Sequence, residues 1–222
     1  MRFHFSLVCG GCMTVFIKEL LSACDREYSK FRSGTLKEYD AAVYKRVGDY
    51  WKAINIDNID GKTLSKDKHG KFYNPAWSSA FVSFVVKNAG AGDLFNYSSA
   101  HCHYIESARK ARQNGTKSAY YAVSPDSDIP SPGDIICSGR EYASEYSFEN
   151  AELAYKTDSF YPSHGDVVIY VNREQGYLIT IGGNVGNSVK QKKILIDEKG
   201  FLVDRVDGNN LLPWLALLKC QL

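Results

Sequence analysis

Long apolar runs are missing from this sequence: none approaches the length that spans a bilayer, so no membrane span is expected. An excess of one charge is missing too. Lys and Arg number 27 against 25 Asp and Glu, and no basic run carries interleaved aromatics, so no nucleic-acid partner is expected. That near balance leaves an anionic polymer such as a cell wall acceptable as a partner. The six cysteines (Cys9, Cys12, Cys24, Cys102, Cys137, Cys220) lack the regular spacing of a disulfide framework. Cys9-Gly-Gly-Cys12 has the CxxC form, but no second CxxC or His pair completes a zinc site; free buried thiols are expected and no metal is assigned. Gly-rich segments have neither a Lys-Ser/Thr partner nor a Rossmann setting, which argues against nucleotide binding, and no cofactor is expected. No Asp/Glu pair has the context of a glycosidase. Internal repeats and low-complexity segments are also missing.

What is present is 222 residues, 44% hydrophobic and 13% aromatic, enough apolar side chain for a real core and too much for global disorder. The first 17 residues carry one early positive charge and an apolar run of about signal-peptide length, interrupted by His4 and without a clean small-x-small cleavage site. They read as a weak leader, or else Met13 is the natural start. Residues 14–51 read as helices. Val15, Phe16, Leu20 and Leu21 form one face; Tyr39, Val43, Val47 and Tyr50 or Trp51 form another, with a break at Ser33-Gly34. Residues 54–74 are polar and turn-rich and read as a loop. On this reading residues 1–60 are a leader and helical extension packed on a core of residues 61–222.

Asn74-Pro-Ala-Trp-Ser-Ser-Ala-Phe-Val-Ser-Phe-Val-Val-Lys-Asn-Ala-Gly90 carries both end signals of a buried helix. A second helix follows, capped by Ser98 or Ser99 and stopped at Asn114-Gly115. Then the period changes. Residues 120–123, 135–137, 166–171, 177–181, 188–196 and 201–203 are short β-rich runs divided by Gly, Asn and Asp, with Arg173-Glu-Gln-Gly176 as a hairpin turn. Residues 138–162, polar and aromatic without periodicity, read as a long surface insertion bordering a cleft. Helices first and a meander after imply an α+β fold, helices packed on a small antiparallel sheet, with an N-terminal helical extension.

Three places suggest chemistry together. Ser78 sits in the first helical turn, where unpaired N–H groups favour developing negative charge, although Ser there is also an ordinary cap. His164 stands near a strand start and Asn184 just after another strand; separately they read as a polar strand end and a tight turn. Together they form a triad by role: Ser78 attacks, His164 takes its proton and Asn184 holds the imidazole tautomer. His101, at the second helix start, lines the same cleft as a substrate contact or serves as a helix-cap residue. Ser79 is the competing hydroxyl, and Asp166 points either to solvent or to the cleft.

Trp77-Ser-Ser-Ala-Phe-Val82, Pro132-Gly-Asp-Ile-Ile136, His164-Gly-Asp-Val-Val168 and Ile181-Gly-Gly-Asn184 together resemble, in order and spacing, the papain-like cell-wall hydrolases of the NlpC and CHAP type. Those proteins typically read Trp-Cys-Ala-x-Phe-Val, Gly-Asp-Ile-Val, Gly-His-Val-Gly-Ile-Val and Gly-Gly-Asn. The likeness spans residues 46–196. It implies a papain-like fold and cleavage of amide bonds in peptidoglycan, within the stem peptide or between sugar and peptide, with Trp77 and His101 lining the cleft. Ser78 stands where those families place Cys. In this the chain looks most like an uncharacterised bacterial branch that reads Trp-Ser-Ala-Ala-Phe, in which the blocks Arg46-Val-Gly-Asp-Tyr-Trp51 and Ala100-His-Cys-His-Tyr-Ile105 also recur. Three readings follow: a serine nucleophile, a degenerate site that binds without cutting, or an engineered Cys-to-Ser change. Domains of this kind serve as phage lysins, wall remodelers or toxins, and the lack of a separate wall-binding repeat and of a clear signal peptide favours a secreted effector or phage product, secreted or delivered to the bacterial periplasm. For an effector, an immunity protein is a further expected partner. The rival expectations are a non-catalytic module for wall peptides or a protein, and an acyl-transferring or deacylating enzyme of the same fold.

Overall fold

In a computed structural model that describes residues 13–222, Thr14 caps the first helix by accepting the Ile17 N–H at 3.2 Å, and α1 (Val15–Lys30) follows. Its buried stripe is Phe16, Leu20, Leu21, Ala23 and Cys24; Val15, expected on that stripe, is 77% exposed. The chain leaves α1 through Arg32, Ser33 and Gly34, all at positive φ, which accounts for the break read at Ser33-Gly34. Helix α2 (Tyr44–Lys52) buries Val47, Tyr50 and Trp51, while Tyr39 lies outside the helix and exposed. Arg46 on α2 makes two hydrogen bonds to the buried Glu27 on α1, at 2.7 and 2.6 Å, and the Tyr50 hydroxyl donates to the same carboxylate. Burial raises the Glu27 pKa, but these donors and the guanidinium charge outweigh it, so the carboxylate stays ionised. Leader residues 1–12, with Cys9 and Cys12, lie outside the described residues.

The segment expected as a loop contains a two-strand hairpin, β1 (Ser65–Lys66) and β2 (Phe72–Tyr73). Helix α3 (Ser78–Asn88) is buried almost all round, because α1 and α2 cover one side and the main sheet the other. Helix α4 (His101–Asn114) ends at Gly115 in the left-handed region, φ 63, as the Asn-Gly signal predicts. Its N-cap is Ala100 rather than Ser98 or Ser99, and no side chain caps it.

Strands β3 (Tyr120–Val123) and β4 (Ile135–Gly139) precede α5 (Phe148–Asp158), a helix started by Ser147 inside the stretch read as irregular. Then come β5 (Ser163–Asn172), β6 (Tyr177–Gly182), β7 (Lys190–Leu195), a small hairpin of β8 (Arg205–Asp207) and β9 (Asn210–Leu212), and β10 (Ala216–Cys220). The main sheet has the order β3-β10-β4-β5-β6-β7 with every pair antiparallel, so the fold is α+β. Strand β10 was not among those expected, yet it fills the gap between β3 and β4. In place of a strand at residues 201–203 there is one bridge, Ile196 to Leu202.

One face of the sheet meets α1, α3 and α4 in a cluster that includes Val167, Ile169 and Ile181; the other carries Ile136, Val168, Leu178 and Trp214. Helices α1 and α2, expected as an extension, belong to the first cluster. Residues 36–38 also hold residues 186–188 through three hydrogen bonds: Glu38 N–H to Asn187 O, Lys37 Nζ to Gly186 O and Ser188 Oγ to Leu36 O. No described helix is long and apolar enough to cross a membrane.

Candidate active site

Two helix heads meet at a cleft of about 520 Å³ whose lining includes Ser78, His101, Arg140, His164 and Asn184. Neither α3 nor α4 has a side-chain cap or an acidic first turn, so the free N–H groups of both heads leave a positive end on this wall. Residue 98 fixes how the heads meet. The Ser79 hydroxyl donates to the Ser98 carbonyl at 2.7 Å, and the Ser98 N–H donates to Ser83 Oγ at 3.1 Å. Three residues later His101 arrives beside Ser78, with 2.6 Å between Ser78 Oγ and His101 Nε2. Ser79, the rival hydroxyl, is committed to this stitching.

The other ring nitrogen, His101 Nδ1, bonds the Tyr104 hydroxyl one turn along α4. Burial pushes the Tyr104 phenol well above its ordinary pKa, so it is a neutral anchor. Gly165 makes room for both: a Cβ there would stand 2.6 Å from the Tyr104 oxygen and 3.1 Å from His101 Nδ1. Strand alternation explains the arrangement. Gly165 shares the parity of Val167 and Ile169 and faces the helices, whereas His164 and Asp166 share the parity of Val168.

The structure therefore corrects the expected pairing. His164 makes no hydrogen bond to Ser78; its Nε2–H donates to Asp166 Oδ1 at 2.9 Å, and its Nδ1 has no hydrogen-bond partner among the described residues. The two imidazole rings still lie 5.5 Å apart, centroid to centroid. Asn184 lines the cleft from a left-handed turn, φ 56, but the group that orients His164 is Asp166, and the Asn184 side chain has no hydrogen bond among the described residues. Trp77 is corrected as well. Expected at the cleft, it is 1% exposed in the core, stacked between Tyr50 and Phe31 at 5.5 and 5.9 Å with its indole N–H on Glu38. A large rigid ring there anchors the head of α3 from behind.

Burial depresses the pKa of His101, and the nearby charge of His164 adds to the effect while Asp166 opposes it. Burial likewise depresses that of His164, against the pull of Asp166. Both rings are thus neutral bases at neutral pH. Burial works to raise the Asp166 carboxyl, but His164 and the Lys192 ammonium outweigh it and hold it well below the usual carboxylate range. Gly182 on β6 leaves space for that carboxylate, since a Cβ would fall 1.7 Å from Asp166 Oδ1. Among the described residues no cluster of His, Cys, Asp and Glu is arranged to hold a metal ion.

Asp166, Tyr104, Lys192 and Arg140 were not singled out as site residues from sequence. Two of them had a readable signal: His164-x-Asp166 puts both side chains on one strand face, and His101-x-x-Tyr104 puts both on one helix face.

Fold and cleft define an α+β protein in which a helix-head hydroxyl is bonded to a neutral, buried imidazole. Residues 38–220 match the family described as an uncharacterized protein conserved in bacteria (DUF2272), and the chain belongs to that family. No curated protein and no solved structure matches it.

Proposed function

We propose that the chain hydrolyses amide bonds in the peptide part of bacterial peptidoglycan, as an amidase or endopeptidase, with Ser78 as nucleophile. The observation that carries the proposal is the 2.6 Å contact between Ser78 Oγ and His101 Nε2 at the head of a buried helix on an open cleft. In the tautomer with the proton on Nδ1, donated to Tyr104, Nε2 is free to accept from the serine. The Ser78 Oγ–carbon bond forms as the proton passes to His101 Nε2. The carbon–nitrogen bond breaks as that proton moves to the leaving amine. Water then adds to the ester, gives a proton to His101, and releases the acid and the Ser78 hydroxyl. Free N–H groups in the first turn of α3 stabilise the oxyanion. His164, oriented by Asp166, presents its unbonded Nδ1 as a hydrogen-bond acceptor that aligns the attacking water while His101 takes its proton.

The likeness to papain-like hydrolases of the NlpC and CHAP type supports the choice of substrate and, with it, an activity in the periplasm or outside the cell. As an effector, the protein would be held in check by an immunity partner. A second reading, a papain-like module that binds wall peptides without cutting, draws on Ser78 standing where those hydrolases have Cys. Incubation with purified sacculi separates the two. Release of new amino groups by the native chain, lost in Ser78→Ala and His101→Ala, supports hydrolysis; binding to sacculi without release supports the module.

A further inference from the structure

We infer that Arg140 forms an anion subsite in this cleft, receiving a carboxylate of the substrate next to the bond that Ser78 attacks. The position of that bond rests on the hydrolase reading; the anion binding does not. Arg140 follows the last residue of β4, and its backbone is fixed on both sides. Its N–H donates to the Pro162 carbonyl at 3.0 Å and its carbonyl accepts from the Ala143 N–H at 2.8 Å. From this fixed base the exposed side chain lines the cleft with Ser78, His101 and His164.

The guanidinium has no hydrogen bond, ion pair or ring contact with any described residue. Other arginines near the core are engaged: Arg46 with Glu27 and Asp49, Arg109 with Glu106, Arg205 with the carbonyls of Ser144 and Pro213. The carboxylates nearby do not satisfy Arg140. Asp166 is taken by His164 and Lys192, and Glu141, though on the same wall, makes no ion pair with it. Arg140 shares the cleft lining with Ser78, and its charge is felt at both imidazoles, so it stands within electrostatic reach of the site. A planar, permanently charged fork with free donors matches a carboxylate in bidentate fashion. Phe160, on the same wall and 46% exposed, adds an apolar surface for the adjoining chain. The chemistry selected is an acyl peptide carrying a free carboxylate close to its scissile amide.

The test is titration calorimetry on the full chain bearing Ser78→Ala, so that nothing turns over. The probes are succinyl-alanyl-alanine amide, with one free carboxylate, and its neutral succinamoyl analogue. The acid should bind at least tenfold more tightly, the preference should shrink with added salt, Arg140→Gln should abolish it, and Arg140→Lys should keep part of it. Equal binding of acid and amide, a preference that survives Arg140→Gln, or binding of neither probe would overturn the inference. Loss of sacculus cleavage with the acid preference intact would remove the hydrolase reading alone, whereas cleavage without the preference would remove the subsite alone.

Discussion

Asp134 and Asp166 occupy matching places. Each follows a glycine at or near a strand start, each is almost fully buried, and each meets a lysine from another strand, Lys219 on β10 and Lys192 on β7. Their electrostatics nevertheless run in opposite directions. At Asp134 burial prevails over Lys219 and over the N–H groups of Cys220 and Ser131, and the carboxyl pKa is raised. At Asp166 burial is outweighed, because the His164 imidazole lies across from it as well as the lysine, and the pKa is lowered. Asp134 is a tie that joins β10 to the entry of β4. Asp166 is a charge kept ready for a ring on the cleft. Burial plus a lysine does not lower a carboxyl pKa at these two places; the imidazole partner does.

Exchanging each carboxylate for its amide should separate the pair most widely. Asp166→Asn should lower turnover on sacculi by about 10²-fold, the low end of what a positioned proton-transfer group contributes, through the His164 ring that it orients. Asp134→Asn should leave the rate per folded molecule within about threefold and appear instead in urea unfolding, at a cost of about 1–3 kcal/mol. If both variants lost activity equally at equal stability, the contrast would be wrong. Next in size is Gly182→Ala. Its added methyl would collide with Asp166, so we expect about 1–3 kcal/mol of destabilisation by denaturant titration together with reduced turnover.

The dependence of stability on pH sharpens the same contrast. His101 and His164 have folded pKa values below their ordinary ones. The stability they contribute is fully present above about pH 6.5, the usual histidine value, and is lost as pH falls toward their folded values. The urea midpoint should therefore drop between pH 7 and pH 5, and drop less in a His101→Asn, His164→Asn double variant. At about pH 4, the free-carboxylate value, the two aspartates should diverge, Asp166 acting below it and Asp134 above it. Asp166 loses its contribution as pH falls through its depressed pKa. Asp134, with a raised pKa, makes the fold less stable as pH rises through the window between the free and folded values. Among the changes at the reacting groups, the smallest effect expected is that of Ser78→Cys, which should keep turnover on sacculi within about tenfold of the native chain, since a thiol bonded to the same imidazole ionises more readily than a hydroxyl.

Much of the helical half is legible in the sequence because its signals are local. Pro75 and the small hydroxyls announce α3, Asn114-Gly115 ends α4, and residues 120–123 are the strand their composition suggests. Strand β10 is different. Leu215 to Leu218 is a continuous apolar run, and a fully buried strand of that kind cannot be told from a helix segment by periodicity. The site divides in the same way. Ser78 and the cleft position of His101 are readable, since both follow from helix starts. The bond between them is not, because it depends on Ser79 and Ser83 stitching residue 98 to α3 across 15 to 19 residues of chain. His164 reads as the base from standing near a strand start, whereas the pleat of β5 turns Gly165, not His164, toward the helices. The resemblance puts Trp77 at the cleft, whereas its ring packs in the core between Phe31 and Tyr50.

If the Ser78 hydroxyl is a nucleophile activated by His101, it is open to covalent capture. Treating the native chain with an alkyl fluorophosphonate and mapping the adduct by peptide mass spectrometry tests it most directly. Expected is a single adduct on Ser78 that disappears in His101→Ala; absence of any adduct, or an adduct on another residue with Ser78 untouched, would mean that the hydroxyl is not an activated nucleophile.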